Sequence, residues 1–362
     1  MQWCREMKVA NAGYARGISQ ALLAAVLFGM STPFAKWLLG AIAPEMLAGL
    51  LYAGSGAGLL LWMLWRRYRS DVPHEAPLSR RDWPWLTGAV VFGGVLGPLL
   101  LMLGLAHTAA STASLLLNME SVLTALLAWV VFRENVDRRI LLGMLAIVAG
   151  GVLLTMQPIG YSVSLMGASA IVGACLCWAI DNNVTRPISG SDPVQIAAIK
   201  GSIAGCINIA IALVAGYRFP ALSHVLVAGL LGLAGYGVSL VLFVLALRSL
   251  GTARTSAYFS TAPFLGACVA LLLFGEHTST AFWLAGALML FGVWLHVSER
   301  HEHEHVHEAI THNHRHRHDE HHQHDHDFPW DGKEPHTHSH THEPLRHSHP
   351  HYPDLHHRHR HS

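Results

Sequence analysis

Ten apolar stretches, each close to the length of a membrane-spanning helix, constrain the fold of this 362-residue chain more than any other feature. A helix needs about 20 residues to cross the hydrocarbon core of a bilayer. Charged residues or Gly and Pro separate the stretches, so the connections are short. We expect spans at about residues 18–39, 44–65, 84–106, 110–132, 139–157, 164–185, 193–216, 223–247, 254–275 and 280–298. The chain is therefore predicted to be an all-α integral membrane protein with ten transmembrane helices.

The distribution of Lys and Arg predicts how these spans are oriented. If the N-terminus is cytoplasmic, 14 Lys and Arg residues fall on the inside, whereas only Lys36 and Arg218 fall on the outside. Cytoplasmic segments of membrane proteins carry an excess of these residues. Because ten spans return the chain to its starting side, we expect a multi-pass protein of the cytoplasmic (inner) membrane with both termini in the cytoplasm.

The segment after the last span has a very different composition. Residues 299–362 contain 23 of the 28 histidines, together with 12 Asp/Glu and 7 Lys/Arg. Imidazoles at alternate positions cannot all be buried and hydrogen-bonded, and the segment has almost no apolar periodicity, so we predict a disordered tail. Its acidic balance makes it a poor ligand for nucleic acid.

Dense imidazole favours the binding of divalent transition metals, with Ni, Zn, Co and Cu as the candidates. Binding is expected to weaken as the pH falls through about 6.5, where free imidazole takes up a proton. The candidate metal ligands are His301, His303, His305, His307, His312, His314, His316, His318, His321, His322, His324, His326, His336, His338, His340 and His342. We expect no tightly bound cofactor, and a metal only on this tail.

Polar side chains inside the spans are costly in a bilayer, so they indicate function. Glu120 is the clearest example, because it lies in the middle of a long apolar run with Asn118 nearby. A carboxylate at this position can take up a proton, bind a cation or pair with a buried lysine. Glu120 and Asn118 are therefore predicted to lie on the transport path.

A second polar cluster, Asp181, Asn182 and Asn183, lies late in the sixth span. Such side chains compete for backbone hydrogen bonds in a helix, so the cluster marks either an unwound stretch facing a cavity or simply the end of the helix. Lys200, in the seventh span, is the partner of one of the acids or extends to the interface. We include all four residues in the predicted transport path.

The two halves of the chain contain an internal repeat. The small-residue segment 105–114 and the end of the fourth span, Phe132-Arg-Glu134, recur 142 positions later as segment 247–256 and Phe274-Gly-Glu276. Each repeat holds five spans, an odd number, so the second repeat must be inverted relative to the first. Inverted repeats are typical of alternating-access transporters, whose substrate site lies at the repeat interface near the midplane.

These features resemble the EamA repeats of the drug/metabolite transporter superfamily. The similarity rests on the small-residue stretches before the fourth and ninth spans, on Glu134 and Glu276 that close them, and on the glycine-containing helices that follow. It covers about residues 18–298 and implies a secondary transporter that moves a small solute. In one respect the chain departs from the pattern: Pro263 is kept in the ninth span, but the fourth span has the polar segment 118–121 at the equivalent place.

The resulting domain prediction has four parts. They are a cytoplasmic N-terminal segment (1–17), a first five-helix repeat (18–157), a second five-helix repeat (158–298) and the His-rich cytoplasmic tail (299–362). Expected partners are the lipid bilayer and a small-molecule or ion substrate, without nucleic acid, and the expected state is a monomer or homodimer. Nothing in the sequence indicates an enzyme, and the chain has no nucleotide-binding P-loop.

Three functions fit the sequence. In the first, the chain exports a transition-metal cation, which the tail collects and the membrane residues carry. In the second, the same scaffold moves an organic metabolite, such as an amino acid, and the tail regulates it in response to metal. In the third, the chain is a membrane-anchored metal-binding or sensing protein without transport. The inverted repeat argues against the third, because an anchor needs only one or two spans.

Overall fold

A computed structural model describes residues 2–69, 78–132, 138–156, 164–189 and 191–298, and in the tail residues 302–307, 310–316, 336–342 and 345–350. The α-helices in these residues are α1 (Gln2–Leu38), α2 (Pro44–Tyr68), α3 (Trp83–Gly88), α4 (Gly97–Ala106), α5 (Ala110–Leu116), α6 (Met119–Phe132), α7 (Arg138–Thr155), α8 (Leu165–Thr185), α9 (Pro193–Val214), α10 (Leu222–Gly232), α11 (Ser239–Phe259), α12 (Ala262–Phe274) and α13 (Thr280–Val297). Two 3₁₀ segments, Arg80–Asp82 and Arg186–Ile188, and two π-helical segments join some of them.

The ten predicted spans are confirmed. Ten helical stretches of the described residues are long and apolar enough to cross a membrane, and each end lies within four residues of the predicted one. Their outer surface carries large apolar side chains, such as Leu61, Leu145 and Leu272, which are 66%, 57% and 86% exposed. Because such a surface is stable only against lipid, the chain is a multi-pass membrane protein.

Helix boundaries differ from the expectation at two places. Helix α1 begins at Gln2, well before the predicted start of the first span at residue 18. Helix α11 runs from Ser239 to Phe259 and therefore includes the residues that were expected to form a connection between the eighth and ninth spans. Neither segment contains a proline or a run of turn-forming residues, so the local sequence permits a helix there.

The internal repeat extends to irregularities in the helices. The third and eighth spans contain π-helical segments, Ala89–Leu96 and Leu233–Val238. The fourth and ninth spans are each broken in their first half, at residues 117–118 and 260–261. The two π-helical segments, and likewise the two breaks, are separated along the chain by close to the 142 residues that separate the repeats. Equivalent sequences therefore produce equivalent departures from regular helix.

The helix pairing is consistent with a two-fold relation between the repeats. Helix α2 packs against α9, α5 against α12, and α7 against α13; each of these contacts joins equivalent spans. Two further large contacts, α1 with α11 and α4 with α8, are equivalent to each other under the same two-fold relation. The repeats therefore meet through several helix pairs, and residues at the breaks in the fourth and ninth spans line one cavity between them.

Small residues bring α2 and α9 into close contact. A Cβ atom on Gly56 would lie 2.3 Å from the backbone nitrogen of Ser202, and one on Gly205 would lie 2.4 Å from the backbone nitrogen of Ala53. Lipid tails are as apolar as leucine, so close van der Waals packing of this kind takes the place of hydrophobic burial between membrane helices.

The described residues of the tail, for which we predict disorder, have an extended backbone. They form four short strands, β1 (Glu302–His307), β2 (Ile310–His316), β3 (His336–His342) and β4 (Leu345–Pro350). Strand β1 pairs antiparallel with β4, and β2 pairs antiparallel with β3. An alternating His-x-His pattern is compatible with extended backbone, although isolated two-stranded ladders are only marginally stable. The remaining histidines predicted as ligands, His301, His318, His321, His322, His324 and His326, lie outside the described residues.

Candidate functional site

A polar cavity lies between the breaks in the fourth and ninth spans. Its volume is about 20 Å³, room for about one water molecule, and it is partly open to the surroundings. Its polar lining consists of Asn118, Glu120, Ser121, Thr124, Asn182, Ser256 and Ser260, and its apolar lining of Phe28, Leu117, Phe243, Phe259 and Pro263. Residues from both repeats line it, as expected for a site at a repeat interface.

Glu120 is the one acidic side chain among the described residues that line this cavity. It lies in the first turn of α6, directly after the break, where the helix dipole favours negative charge. Its Oε1 accepts a hydrogen bond of 2.8 Å from Nδ2 of Asn182. The lining contains no lysine, arginine or histidine, so Asn182 holds the carboxylate without a counter-ion within the described lining.

Three further polar atoms of the cavity lining have no hydrogen-bond partner within the described residues. They are Oδ1 of Asn118, Oγ1 of Thr124 and Oγ of Ser256. Asn118 and Thr124 are buried, with 1% and 7% exposure, and Nδ2 of Asn118 is already used on the carbonyl oxygen of Leu115. Buried polar atoms in proteins are nearly always paired with protein, water or ligand. This cavity therefore has unused hydrogen-bonding capacity beside Glu120.

One wall of the cavity is aromatic. The ring of Phe259 lies 5.3 Å from that of Phe28 and 5.0 Å from that of Phe243, measured between centroids. Phe28 also packs edge-on against Trp178 and Tyr236, at 5.6 and 5.7 Å. These rings give the cavity an apolar lining in addition to its hydroxyl, amide and carboxylate groups, the combination found in small-molecule sites.

Asp181 and Lys200 form a separate buried ion pair. Nζ of Lys200 donates to Oδ2 of Asp181, and Oγ1 of Thr185 donates to Oδ1 at 3.1 Å. Both charged residues are almost fully buried, with 5% and 2% exposure. The two charges therefore neutralise each other outside the lining of the cavity, and Lys200 does not extend to the interface.

The π-helical segment of the third span packs closely against this ion pair. The carbonyl oxygen of Gly93 accepts hydrogen bonds from Tyr52 Oη at 2.7 Å and from Trp178 Nε1 at 3.1 Å. A Cβ atom on Gly93 would lie 2.0 Å from the carboxylate of Asp181. Only glycine permits this approach, while side chains of other helices satisfy the backbone groups that the irregular helix frees.

The polar cluster in the sixth span lies inside a helix. It is not an unwound stretch, and it is not the end of the span. Asp181, Asn182 and Asn183 all lie within the regular helix α8. Successive helical residues point in different directions, and here Asp181 pairs with Lys200, Asn182 with Glu120, and Asn183 with the carbonyl oxygen of Ala179 at 2.8 Å. The structure thus brings Glu120, Asn118 and Asn182 together at the cavity and leaves Asp181, Asn183 and Lys200 outside its lining.

The aromatic wall and the hydroxyls of Thr124 and Ser256 were not among the residues predicted from the sequence. Thr124 follows Glu120 by four residues and so lies on the same helix face, a spacing that was visible in the sequence. The phenylalanines gave no such signal, because they come from two different helices and resemble any other apolar residue of a span.

At one end of the bundle, Glu276 connects the ninth span to the fourth. Gly275 ends α12 in a left-handed conformation with φ of 58°, which glycine adopts without strain. The following carboxylate accepts hydrogen bonds from the backbone nitrogens of Ala110, at 2.8 Å, and Ser111, at 3.0 Å, and from Oγ of Ser111. It therefore caps the start of α5 from the other repeat. Glu134, the equivalent of Glu276, lies outside the described residues.

The variant Glu276→Ala is expected to destabilise the protein by about 1–2 kcal/mol, because loss of a helix cap leaves backbone N–H groups unpaired. Apparent thermal unfolding of the purified protein in detergent would measure this. Glu45→Ala is the matched control, since Glu45 lies in the first turn of α2 and its Oε2 accepts no hydrogen bond within the described residues. Equal unfolding temperatures for the two variants would contradict the capping role.

Comparison with known proteins supports this description of the fold. The EamA-like transporter family model matches residues 15–156 and again residues 165–298. An uncharacterized transporter of Methanothermobacter thermautotrophicus (strain Delta H) is 27% identical over 293 residues, which are 77% of this chain and 85% of that protein. The probable 4-amino-4-deoxy-L-arabinose-phosphoundecaprenol flippase subunit ArnE of Pseudomonas aeruginosa (strain UCBPP-PA14) is 42% identical over 111 residues, 30% of this chain and 92% of ArnE.

A solved crystal structure has a similar architecture. The two structures superpose with a TM-score of 0.58, and the superposed region includes 78% of this chain and 95% of the other chain. At 18% sequence identity this similarity concerns the fold alone.

Proposed function

Since this chain belongs to the EamA-like transporter family, we propose that it is a secondary transporter that exports a small organic solute through the cavity at Glu120. The observation that carries the proposal is the position of this cavity at the two breaks of the fourth and ninth spans, with lining from both repeats. A site shared by inverted repeats is exposed to one side or the other as the repeats move against each other.

The lining favours an organic solute over a transition-metal ion as the transported species. Transition metals prefer several imidazole, thiolate or carboxylate ligands held in a defined geometry. Here Glu120 contributes one carboxylate, beside an aromatic wall and hydroxyl groups, and Asp181 is engaged with Lys200. The name of the ArnE relative also describes an organic molecule, a lipid-linked amino sugar.

Metabolite profiling tests this function. Cells that express the chain are expected to lose one or a few organic solutes from the cytoplasm and to accumulate them in the medium, relative to cells with an empty vector. Ni, Co, Zn and Cu contents, measured by elemental analysis of the same cells, serve as the second readout. A change in one metal without any change in organic solutes would favour metal transport instead.

For the tail, we propose a regulatory metal-binding role on the cytoplasmic side. The excess of Lys and Arg on that side supports the orientation, and the density of imidazole supports the metal. In the backbone register of β2 and β3, His312 lies opposite His340, His314 opposite His338, and His316 opposite His336. Histidine positions thus fall beside each other across the ladder as well as along the chain.

Truncation after residue 298 tests the tail. The full chain is expected to bind several Ni²⁺ ions at about pH 7.5 and far fewer at about pH 5.5, because protonated imidazole is not a ligand. The truncated chain should bind none while keeping solute export. Elemental analysis of purified, dialysed protein measures the bound metal. Equal metal binding by the two chains would exclude the tail as the metal-binding segment. Loss of export in the truncated chain would make the tail part of the transport machinery.

A further inference from the structure

The charge of the cavity limits the kind of solute that fits it. Glu120 is the only ionisable side chain in the described lining, and the nearby charges of Asp181 and Lys200 neutralise each other. A carboxylate in an apolar surrounding is best compensated by a positive charge. An anionic solute would instead add a second negative charge beside the first.

The unused hydrogen-bonding atoms add a second requirement. Oδ1 of Asn118 is an acceptor without a donor, and Glu120 accepts one bond from Asn182 although a carboxylate has room for about four. The hydroxyl groups of Thr124 and Ser256 can accept or donate. The free acceptor positions of Glu120 and Asn118 can take N–H or O–H groups of a solute, and a charged donor would form the stronger, charge-assisted bonds.

The aromatic wall supplies a third constraint. The ring of Phe259 lies about 5 Å from those of Phe28 and Phe243, and all three residues line the same cavity as Glu120. Aromatic faces attract cations, Arg or ammonium groups in particular, and also pack against hydrocarbon. A metal ion would leave this wall without a partner, whereas the body of an organic cation fills it.

We infer that the solute is a protonated primary or secondary amine, whose ammonium N–H groups bind Glu120 and Asn118 and whose apolar body lies against the phenylalanine wall. This inference rests on the proposed transport through the same cavity. It excludes quaternary ammonium ions as good ligands, because they carry the charge but no N–H group. It also excludes carboxylates, sugars without an amino group and bare metal ions.

Binding measurements with matched probes test the inference. The probes are n-butylamine, 2-phenylethylamine and tryptamine, each compared with its N,N,N-trimethylammonium and its alcohol analogue. Full-length protein in nanodiscs is titrated by calorimetry. At least one amine is expected to bind, and its trimethylammonium and alcohol analogues are expected to bind roughly tenfold more weakly or worse. Glu120→Gln should weaken the amine by a similar factor, and Glu45→Gln should not.

Thr124→Val gives a readout that a purely structural role would not produce. The substitution keeps the shape of the side chain and removes an unpaired buried hydroxyl, so the apparent unfolding temperature without ligand is expected to stay equal or rise. The affinity for the amine is expected to fall. A fall in both quantities would show that the hydroxyl serves packing and not the ligand.

The outcomes separate this inference from the proposed function. Equal affinity for an amine and its trimethylammonium analogue, or no binding of any amine, overturns the amine assignment. If metabolite profiling still finds a Glu120-dependent organic solute of another class, transport through the cavity stands without the amine. If profiling finds no Glu120-dependent solute, the proposed function itself fails, whatever the amines do.

Discussion

Replacing Glu120 with glutamine is expected to reduce export about 30-fold or more while leaving the fold intact. The factor corresponds to about 2 kcal/mol, the lower end of the effect of removing one partner from a buried charged contact. Glutamine has nearly the same volume, and its amide oxygen can still accept the 2.8 Å hydrogen bond from Asn182. What is lost is the negative charge, the one acidic group of the described cavity lining.

The measurement is the export rate of the profiled solute from cells or proteoliposomes, normalised to the amount of folded protein in the membrane. Glu45→Gln is the matched control, because it neutralises a carboxylate at the start of α2, outside the cavity lining. Glu120→Asp keeps the charge and is expected to retain part of the activity. Wild-type export by Glu120→Gln would exclude the carboxylate from the transport path.

The second large effect is expected from breaking the ion pair between Asp181 and Lys200. Lys200→Met leaves the carboxylate of Asp181 buried without its counter-charge, and losses of about 3–5 kcal/mol follow from such a change. Most of the variant is therefore expected to be recovered unfolded or aggregated. The double variant Asp181→Asn/Lys200→Met should recover much of the stability, since asparagine can still accept from Thr185.

Arg66→Met provides the comparison for a more accessible ion pair. Arg66 lies 3.8 Å from Asp192, and both side chains are partly exposed, so this pair is worth about 0–1 kcal/mol. Size-exclusion recovery and apparent unfolding temperature measure all three variants. If Lys200→Met were as stable as Arg66→Met, or if the double variant were no better than the single one, the ion pair would not support the fold.

The candidate site was partly visible in the sequence. Glu120 stands out because an acidic side chain inside a 22-residue apolar span, Ala110–Val131, is costly to insert into a bilayer unless it serves a function or has a partner. Asp181, Asn182 and Asn183 were visible in the sequence only as a polar cluster. The sequence did not show that these side chains point in different directions and bind three different partners. The aromatic wall of Phe28, Phe243 and Phe259 was not visible, because apolar residues are ordinary in every span.

Length and apolar composition determined the ten spans, since a helix of about 20 apolar residues is the structure that satisfies its own backbone in a bilayer. The odd number of spans in each repeat likewise determined that the repeats are inverted. Only the tertiary structure decided which polar groups meet, pairing Glu120 with Asn182 and Asp181 with Lys200. The physical reason is that these contacts depend on how packed helices rotate and cross. The sequence of a single span does not specify that packing.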